Sequence, residues 1–158
     1  MILLKQLIPV TRSREKVNEG DYSEDNILKP FKGPYVNIGG VEVGLSAKNL
    51  SKDKALINKA EHSLYINGYR DFSNIVAVEI FSIDTFKSQQ RQGLGTAAMT
   101  KIINIAEEEG IVLYLEALPI GDKRMSTREL VNWYTKLGFE LLTYGQYPQM
   151  IKIPKRRI

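Results

Sequence analysis

Residues 74–118 constrain the fold more than any other part of the sequence, because two apolar runs flank a segment with helical spacing. The first run, 75–83, is long and largely apolar, which is typical of a strand covered on both faces. The middle segment has apolar residues at steps of four and three, namely Leu94, Ala98, Ile102 and Ile105. This spacing predicts an amphipathic helix of about four turns that ends at Gly110. The second run, 111–118, predicts another buried strand, so the order indicates a right-handed crossover between parallel strands of an α/β fold.

The C-terminal part predicts one more helix and two closing strands. Ser126 and Glu129 have the spacing of a capping box, and Gly138 ends the helix that follows them. Strands are predicted at 139–143 and 149–153, joined by a turn rich in Tyr, Gly and Pro.

The N-terminal part carries a weaker pattern. A strand is predicted at 41–43 after the glycine turn at 39–40, and a helix is predicted at 51–61. The composition of 63–69, with a turn near Gly68, predicts a return to β structure.

Composition excludes several classes of site. At 158 residues, with 43% hydrophobic and 25% charged residues, the chain has the length and composition of one globular domain. The absence of Cys excludes disulfides and thiolate sites, and a single His argues against a His-rich site, so no metal is expected. The net charge of +4 favours an anionic ligand but is too small for a nucleic-acid-binding arm. Residues 1–10 lack the features of a secretory leader, and no stretch approaches the roughly 18 apolar residues of a membrane span, so we expect a soluble cytoplasmic protein without a membrane partner.

The polar loop at 89–95 is the strongest candidate for a binding site. A glycine-containing loop that leaves a strand and opens a helix directs unpaired N–H groups and the positive end of the helix dipole at one point, which suits a phosphate. Gly93 and Gly95 allow close approach because they have no Cβ atom, and the polar side chains beside them add donors. Taken alone, the loop also fits a tight turn at the start of a helix.

Two short motifs in the second half of the chain carry a resemblance to a known family. Residues 90–95, Gln-Arg-Gln-Gly-Leu-Gly, and residues 134–139, Tyr-Thr-Lys-Leu-Gly-Phe, fit a Gln/Arg-x-x-Gly-x-Gly/Ala signature and a later Tyr-x-x-x-Gly-Phe helix end. Together they resemble the GNAT superfamily of acetyl-CoA-dependent N-acetyltransferases, over about residues 62–153. The resemblance implies a central twisted, mixed β-sheet flanked by helices, in which the fourth and fifth strands splay apart to leave a wedge for coenzyme A.

The resemblance also implies which residues bind acetyl-CoA. Backbone N–H groups at the start of the helix would hold the pyrophosphate, and they are those of Gln92, Gly93, Leu94, Gly95 and Thr96, with Gln90 and Arg91 alongside. The strand before the loop would offer its edge at Ile83, Asp84 and Thr85 to the pantetheine chain. A backbone N–H near Ile83 would polarise the thioester carbonyl.

Acetyl transfer to an amine requires a base, because an amine with a pKa of about 10.4 is mostly protonated at pH 7. Glu79 lies eleven residues before Gln90, at the position of the base in histone-acetylating members of the family. Glu116 resembles the fifth-strand base of ribosomal-protein N-terminal acetyltransferases, so both are candidates, and a structural carboxylate is the alternative for each. Tyr134 stands at the family's general-acid position, but it shares a helical face with Leu130, so core packing alone is its alternative role.

The sequence therefore favours an N-acetyltransferase that moves an acetyl group from acetyl-CoA, its cosubstrate, directly to a primary amine of a protein or small molecule in a ternary complex. Residues 1–158 are expected to form a single domain with a divergent acceptor-side part at 1–61, a cofactor-binding core at 62–153 and a basic tail at 154–158. Two alternatives are a catalytically silent acyl-CoA-binding module and a basic nucleic-acid-associated protein, whose binding would depend steeply on salt. The sequence determines neither the identity of the acceptor nor the oligomeric state, for which a homodimer is one option.

Overall fold

The computed structural model of the chain describes residues 24–85, 93–118 and 125–155. In chain order the elements are α1 (Glu24–Leu28), a 3-10 helix (Lys29–Phe31), β1 (Tyr35–Ile38), β2 (Val41–Asn49), a second 3-10 helix (Leu50–Lys52), α2 (Lys54–Ile66), β3 (Val76–Thr85), α3 (Leu94–Glu109), β4 (Val112–Glu116), α4 (Thr127–Lys136), β5 (Glu140–Thr143) and β6 (Gln149–Lys152). No helix in the described ranges is both long and apolar enough to cross a membrane.

The strands form one mixed sheet in the order β1-β2-β3-β4-β6-β5. β3 and β4 are parallel, as predicted for residues 74–118, and the other neighbouring pairs are antiparallel. α3 connects β3 to β4 and ends where predicted, at Gly110, whose φ of 70° is left-handed. The predicted fold class, an α/β protein with a central mixed sheet flanked by helices, is therefore confirmed.

Helices cover both faces of the sheet. α3 and α4 pack on one face, where Val78 and Leu113 belong to the buried core. α2 packs on the other face, where Ala77 and Val112 are buried. We refer to these as the α3/α4 face and the α2 face, and because side chains alternate along a strand, each residue of β3 and β4 can be assigned to one of them.

β3 and β4 pair over a short length and then separate. Residues 77–79 of β3 are in register with residues 112–114 of β4, whereas β3 continues to Thr85 with β2 as its partner. The register between β2 and β3 shifts at Phe81, which is an extra residue on β3, and such β-bulges bend a strand and increase its twist. The expected splay between the family's fourth and fifth strands, here β3 and β4, is thus present, and we call it the β3/β4 gap.

The prediction of β structure at 63–69 is wrong, because α2 continues to Ile66. The buried side of α2 keeps helical spacing through this segment, with Leu56, Ile57, Ala60, Ser63 and Leu64. Tyr65 has a high intrinsic propensity for β-strands, but its side chain is exposed, so this propensity does not determine the local structure. β2 is also longer than predicted and ends at Asn49, and the expected division between residues 61 and 62 falls inside α2.

The predicted capping box at the start of α4 is present and gives a first testable prediction. Ser126 Oγ accepts a hydrogen bond from Glu129 N at 3.1 Å, and Glu129 Oε1 accepts one from Ser126 N at 2.8 Å. We expect Ser126→Ala to lower the free energy of unfolding by about 1 kcal/mol, because one N–H group loses its partner. Chemical denaturation measures this loss, and Ser126→Asp, which keeps an acceptor at the cap, should restore most of it. Equal losses in both variants would contradict the capping role.

Candidate functional site

Among the described residues, the first N–H groups of α3 have no backbone acceptor. Gly93 is the N-cap residue, and the first α-helical hydrogen bond runs from Ala97 N to the Gly93 carbonyl oxygen at 3.1 Å. The N–H groups of Leu94, Gly95 and Thr96 therefore precede the first helical bond and have no carbonyl partner within the helix. The other predicted cofactor contacts, Gln90, Arg91 and Gln92, lie outside the described residues.

Gly93 is required by the backbone and leaves open space beside these donors. Its φ of 71° is in the left-handed region, which residues with a Cβ atom adopt only at a cost. A Cβ atom at this position would have no described atom within 4 Å. The described residues therefore leave room for an anion beside Gly93 at the first turn of α3.

Trp133 forms a wall at this helix end that the sequence did not predict as part of the site. Its Nε1–H donates a hydrogen bond to Thr96 Oγ1 at 3.0 Å. Its ring lies 3.7 Å from the place that a Cβ atom of Gly95 would occupy. Trp133 thus joins α4 to the first turn of α3. The sequence feature that could have indicated this role is its position next to Tyr134, just outside the predicted core face of α4.

Tyr134 lies on the α3/α4 face with 8% of its surface exposed. Its ring centroid is 5.0 Å from that of Trp133 and 5.8 Å from that of Phe139, so packing fixes its orientation. No described group is within hydrogen-bonding distance of its hydroxyl. Burial raises the pKa of Tyr134 to about 12. At neutral pH its hydroxyl is therefore protonated and has a hydrogen atom to donate.

The predicted strand edge borders the β3/β4 gap. Ile83, Asp84 and Thr85 pair with β2 on one side, and on the other side they have no β4 partner. Ile83 packs against the core of the α3/α4 face, while Asp84 is exposed. β3 ends at Thr85 and α3 is the next described element of the chain, so an extended chain lying along this edge away from Glu79 would run toward the end of β3 that precedes α3 in the sequence.

Glu79 lies where the gap begins, on the α2 face. It is half-buried, and its register partners are Ser46 on β2 and Tyr114 on β4. Within the described ranges no group donates a hydrogen bond to its carboxylate. Burial raises the pKa of Glu79, the nearby positive charge of Lys48 opposes this shift, and the negative charge of Glu116 adds to it. Such a carboxylate binds a proton more tightly than an exposed one does, which suits a general base.

Glu116 lies on the same face but is held by neighbours. Its Oε2 accepts a hydrogen bond from the Tyr114 hydroxyl at 3.1 Å. Tyr114 Oη in turn accepts one from Gln149 Nε2 at 2.8 Å. The structure therefore brings both predicted carboxylates together, whereas Tyr134 is on the opposite face of the sheet. A molecule contacts both sides only if it passes through the β3/β4 gap.

Residues 53–139, more than half of the chain, match the profile of the acetyltransferase (GNAT) family. The chain belongs to this family. The matched range extends from the start of α2 to Phe139 and so contains both strands that border the gap, together with α3 and α4. The match confirms the GNAT resemblance of the two sequence motifs.

Three solved structures illustrate the proteins whose fold is similar to that of this chain. They are a bacterial toxin (18% identity, TM-score 0.52, covering 72% of this chain and 59% of that chain), AtaT complexed with acetyl-methionyl-tRNAfMet (20%, 0.50, 72% and 61%) and a point variant of KacT (17%, 0.50, 77% and 68%). At these identities the likeness shows the GNAT fold. The chain spans about three fifths of the length of the first two structures. A comparison with curated protein sequences finds no match.

Proposed function

We propose that this GNAT protein transfers an acetyl group from acetyl-CoA directly to a primary amine of a protein or small molecule, in a ternary complex. The observation that carries the proposal is the arrangement around the β3/β4 gap. Glu79 lies where the gap begins, the edge of β3 without a β4 partner runs from there to Thr85, and the N-terminus of α3 follows that end of β3 in chain order. This arrangement matches an acetyl donor whose anionic end and reactive end are joined by an extended linker.

The described residues fit coenzyme A. The N–H groups of Leu94, Gly95 and Thr96 would hold its pyrophosphate, since they have no backbone acceptor among the described residues and lie at the positive end of the α3 dipole. The open space at Gly93 allows the phosphates to approach. The free edge at 83–85 would pair with the amide groups of pantetheine. We also assign Gln90, Arg91 and Gln92 to the pyrophosphate site, on the basis of the family motif alone.

The chemistry requires one proton acceptor and one donor. The amine nitrogen forms a bond to the thioester carbonyl carbon, and the carbon–sulfur bond breaks. Glu79 takes the proton from the amine, because its carboxylate is half-buried and accepts no hydrogen bond from any described group. Tyr134 donates a hydrogen bond or proton to the departing sulfur from the opposite face. The backbone N–H near Ile83 polarises the carbonyl oxygen.

Trp133 provides a direct test of cofactor binding, because it is the only tryptophan in the sequence and lies against the first turn of α3. We expect acetyl-CoA to change its fluorescence in a saturable manner. Acetyl-CoA at about 100 times its dissociation constant should also stabilise the fold by about 2.7 kcal/mol, measured as a higher melting temperature. Trp133→Phe should lose the fluorescence response and keep the thermal shift. A chain with neither response does not bind acetyl-CoA at this site.

The silent-module and nucleic-acid alternatives make different predictions. We expect thiol release from acetyl-CoA with at least one of four acceptors: putrescine, Nα-acetyl-lysine amide, a peptide with a free N-terminus, and methionyl-tRNA. The last is included because AtaT, a protein of similar fold, is complexed with acetyl-methionyl-tRNAfMet. A silent module would bind acetyl-CoA without thiol release. A nucleic-acid-associated protein would bind RNA or DNA with steep salt dependence and no thermal shift from acetyl-CoA.

A further inference from the structure

A chain of hydrogen bonds crosses three strands and ends at Glu116. Thr143 Oγ1, on β5, donates to Gln149 Oε1 at 2.9 Å. Gln149 Nε2, on β6, donates to Tyr114 Oη at 2.8 Å, and the Tyr114 hydroxyl donates to Glu116 Oε2 at 3.1 Å. All three donors therefore point toward the carboxylate.

The direction of this chain follows from the chemistry of its end. An ionised carboxylate can only accept hydrogen bonds, so the Tyr114 hydroxyl must donate to Glu116. The Tyr114 oxygen then accepts from the amide of Gln149, whose oxygen accepts from Thr143. Each group has one arrangement that satisfies its neighbours, so the position of the Glu116 carboxylate is fixed from within the sheet.

The ring of Tyr114 cannot move aside to release Glu116. Its side chain is fully buried, and the ammonium of Lys48 lies 5.1 Å above its ring centroid. Glu79, by contrast, accepts no hydrogen bond within the described ranges, although it is in register with Tyr114. The two carboxylates on the α2 face therefore differ: one is held and one is free.

We propose that Tyr114 is a positioning residue that fixes Glu116 as a hydrogen-bond acceptor for the amine, so that Glu116 orients the acceptor while Glu79 takes its proton. The inference rests on the proposed acetyl transfer to a primary amine and assigns one role to each carboxylate. A neutral primary amine has two N–H groups, one for each carboxylate, whereas a neutral secondary amine has only one. The two carboxylates thus match the two N–H groups of the primary amine in the proposed reaction.

The first test measures binding and does not depend on turnover. NMR titration of the CoA-loaded protein compares ethylammonium, which has N–H groups, with tetramethylammonium, which has the same charge and none. We expect the parent to prefer ethylammonium by about tenfold, the effect of a hydrogen bond to a charged group worth about 1.4 kcal/mol. Tyr114→Phe should reduce this preference several-fold, because the carboxylate loses its fixed orientation.

Two further variants separate positioning from folding. Gln149→Leu leaves the Tyr114 hydroxyl in place but removes the donor that orients it, so the preference should fall in the same direction by a smaller factor. Tyr65→Phe removes a hydroxyl from a side chain that is 54% exposed and remote from this hydrogen-bond chain, and it should change nothing. Melting temperatures and acetyl-CoA affinity of all variants are measured alongside.

The second test uses the amines that release thiol in the acceptor panel. Tyr114→Phe should raise KM for the amine about tenfold with little change in kcat or in its pH profile. A lower melting temperature with unchanged preference and unchanged KM would overturn the positioning role, and so would a loss of kcat with unchanged KM. If no acceptor is acetylated by the parent, the proposed function fails, while the ammonium titration still decides the role of Tyr114.

Discussion

Replacing Glu79 with Gln is expected to lower kcat for amine acetylation by about 10²–10⁴-fold, the usual effect of losing a general base. The amide has nearly the same shape but does not take up the proton of the attacking amine. Acetyl-CoA affinity should be unchanged, because the proposed contacts of its pyrophosphate are the N–H groups of the first turn of α3 and do not include Glu79. Thiol-release kinetics and calorimetric titration with acetyl-CoA measure the two quantities separately.

A matched control is available on the same face of the sheet. Glu42 on β2 is exposed and lies opposite Asp84, beyond the β-bulge at Phe81. Glu42→Gln removes one negative charge near the gap, so it should leave kcat within about twofold of the parent. If Glu79→Gln were as active as Glu42→Gln while Glu116→Gln lost activity, the roles assigned to the two carboxylates would be reversed.

The raised pKa of Glu79 predicts how the rate of acetyl transfer depends on pH. Only the ionised form takes up a proton, so kcat/KM of the parent should fall as pH drops through a midpoint above the ordinary glutamate value of 4.5. The Glu79→Gln variant should lose this limb of the profile. A parent profile with the same acid limb as the variant would show that another group controls the reaction.

The same shift predicts a change in stability. Because the folded state binds the proton of Glu79 more tightly than the unfolded state does, its contribution to stability is complete below the unfolded pKa and is lost as pH rises through the folded pKa. The neutral Gln variant does not have this loss. Glu79→Gln should therefore be more stable than the parent near pH 8 and equal to it near pH 4, as measured by chemical denaturation. A functional carboxylate that lowers stability at neutral pH fits the usual trade-off between activity and stability.

Sequence patterns predicted the elements around the β3/β4 gap because these elements are long and strongly periodic. The apolar spacing of α3 and the left-handed residue Gly110 at its end are local features, and both are present in the structure. The error at 63–69 has the opposite cause. Ser63 donates a hydrogen bond to Glu140, which is remote in sequence, and Leu64 is fully buried, so tertiary contacts extend α2 through residues whose composition favours strands.

The site was only partly predictable for a related reason. Glu79, Glu116 and Tyr134 could be chosen from spacing and motifs, but the sequence did not indicate that the carboxylates and the phenol lie on opposite faces of the sheet. The contact of Trp133 with Thr96 and the bond from Gln149 to Tyr114 join residues 37 and 35 positions apart. The first depends on how α4 packs on α3 and the second on the placement of β6 beside β4, and neither follows from local periodicity.

Gly93→Leu is expected to weaken acetyl-CoA binding by at least about 100-fold, or about 2.8 kcal/mol. The leucine side chain would enter the open space beside the N–H groups of Leu94 and Gly95, where we place the pyrophosphate. The substitution also strains the backbone, because φ at this position is 71°. Calorimetric titration with acetyl-CoA measures the affinity. A control variant is needed to separate the effect of the side chain on affinity from the effect of backbone strain.

Gly110 provides the control, since it lies at the other end of the same helix with nearly the same backbone conformation. Its φ is 70°, and a Cβ atom there would likewise have no described atom within 4 Å. Gly110→Leu and Gly93→Leu should therefore lose similar stability, about 1–2 kcal/mol each, because both force a side chain into the left-handed region. Only Gly93→Leu should lose affinity for acetyl-CoA. Equal losses of affinity in the two variants would attribute the effect to helix strain. Unchanged affinity in both would show that acetyl-CoA does not bind at the N-terminus of α3, because a leucine side chain at Gly93 would displace an anion bound there.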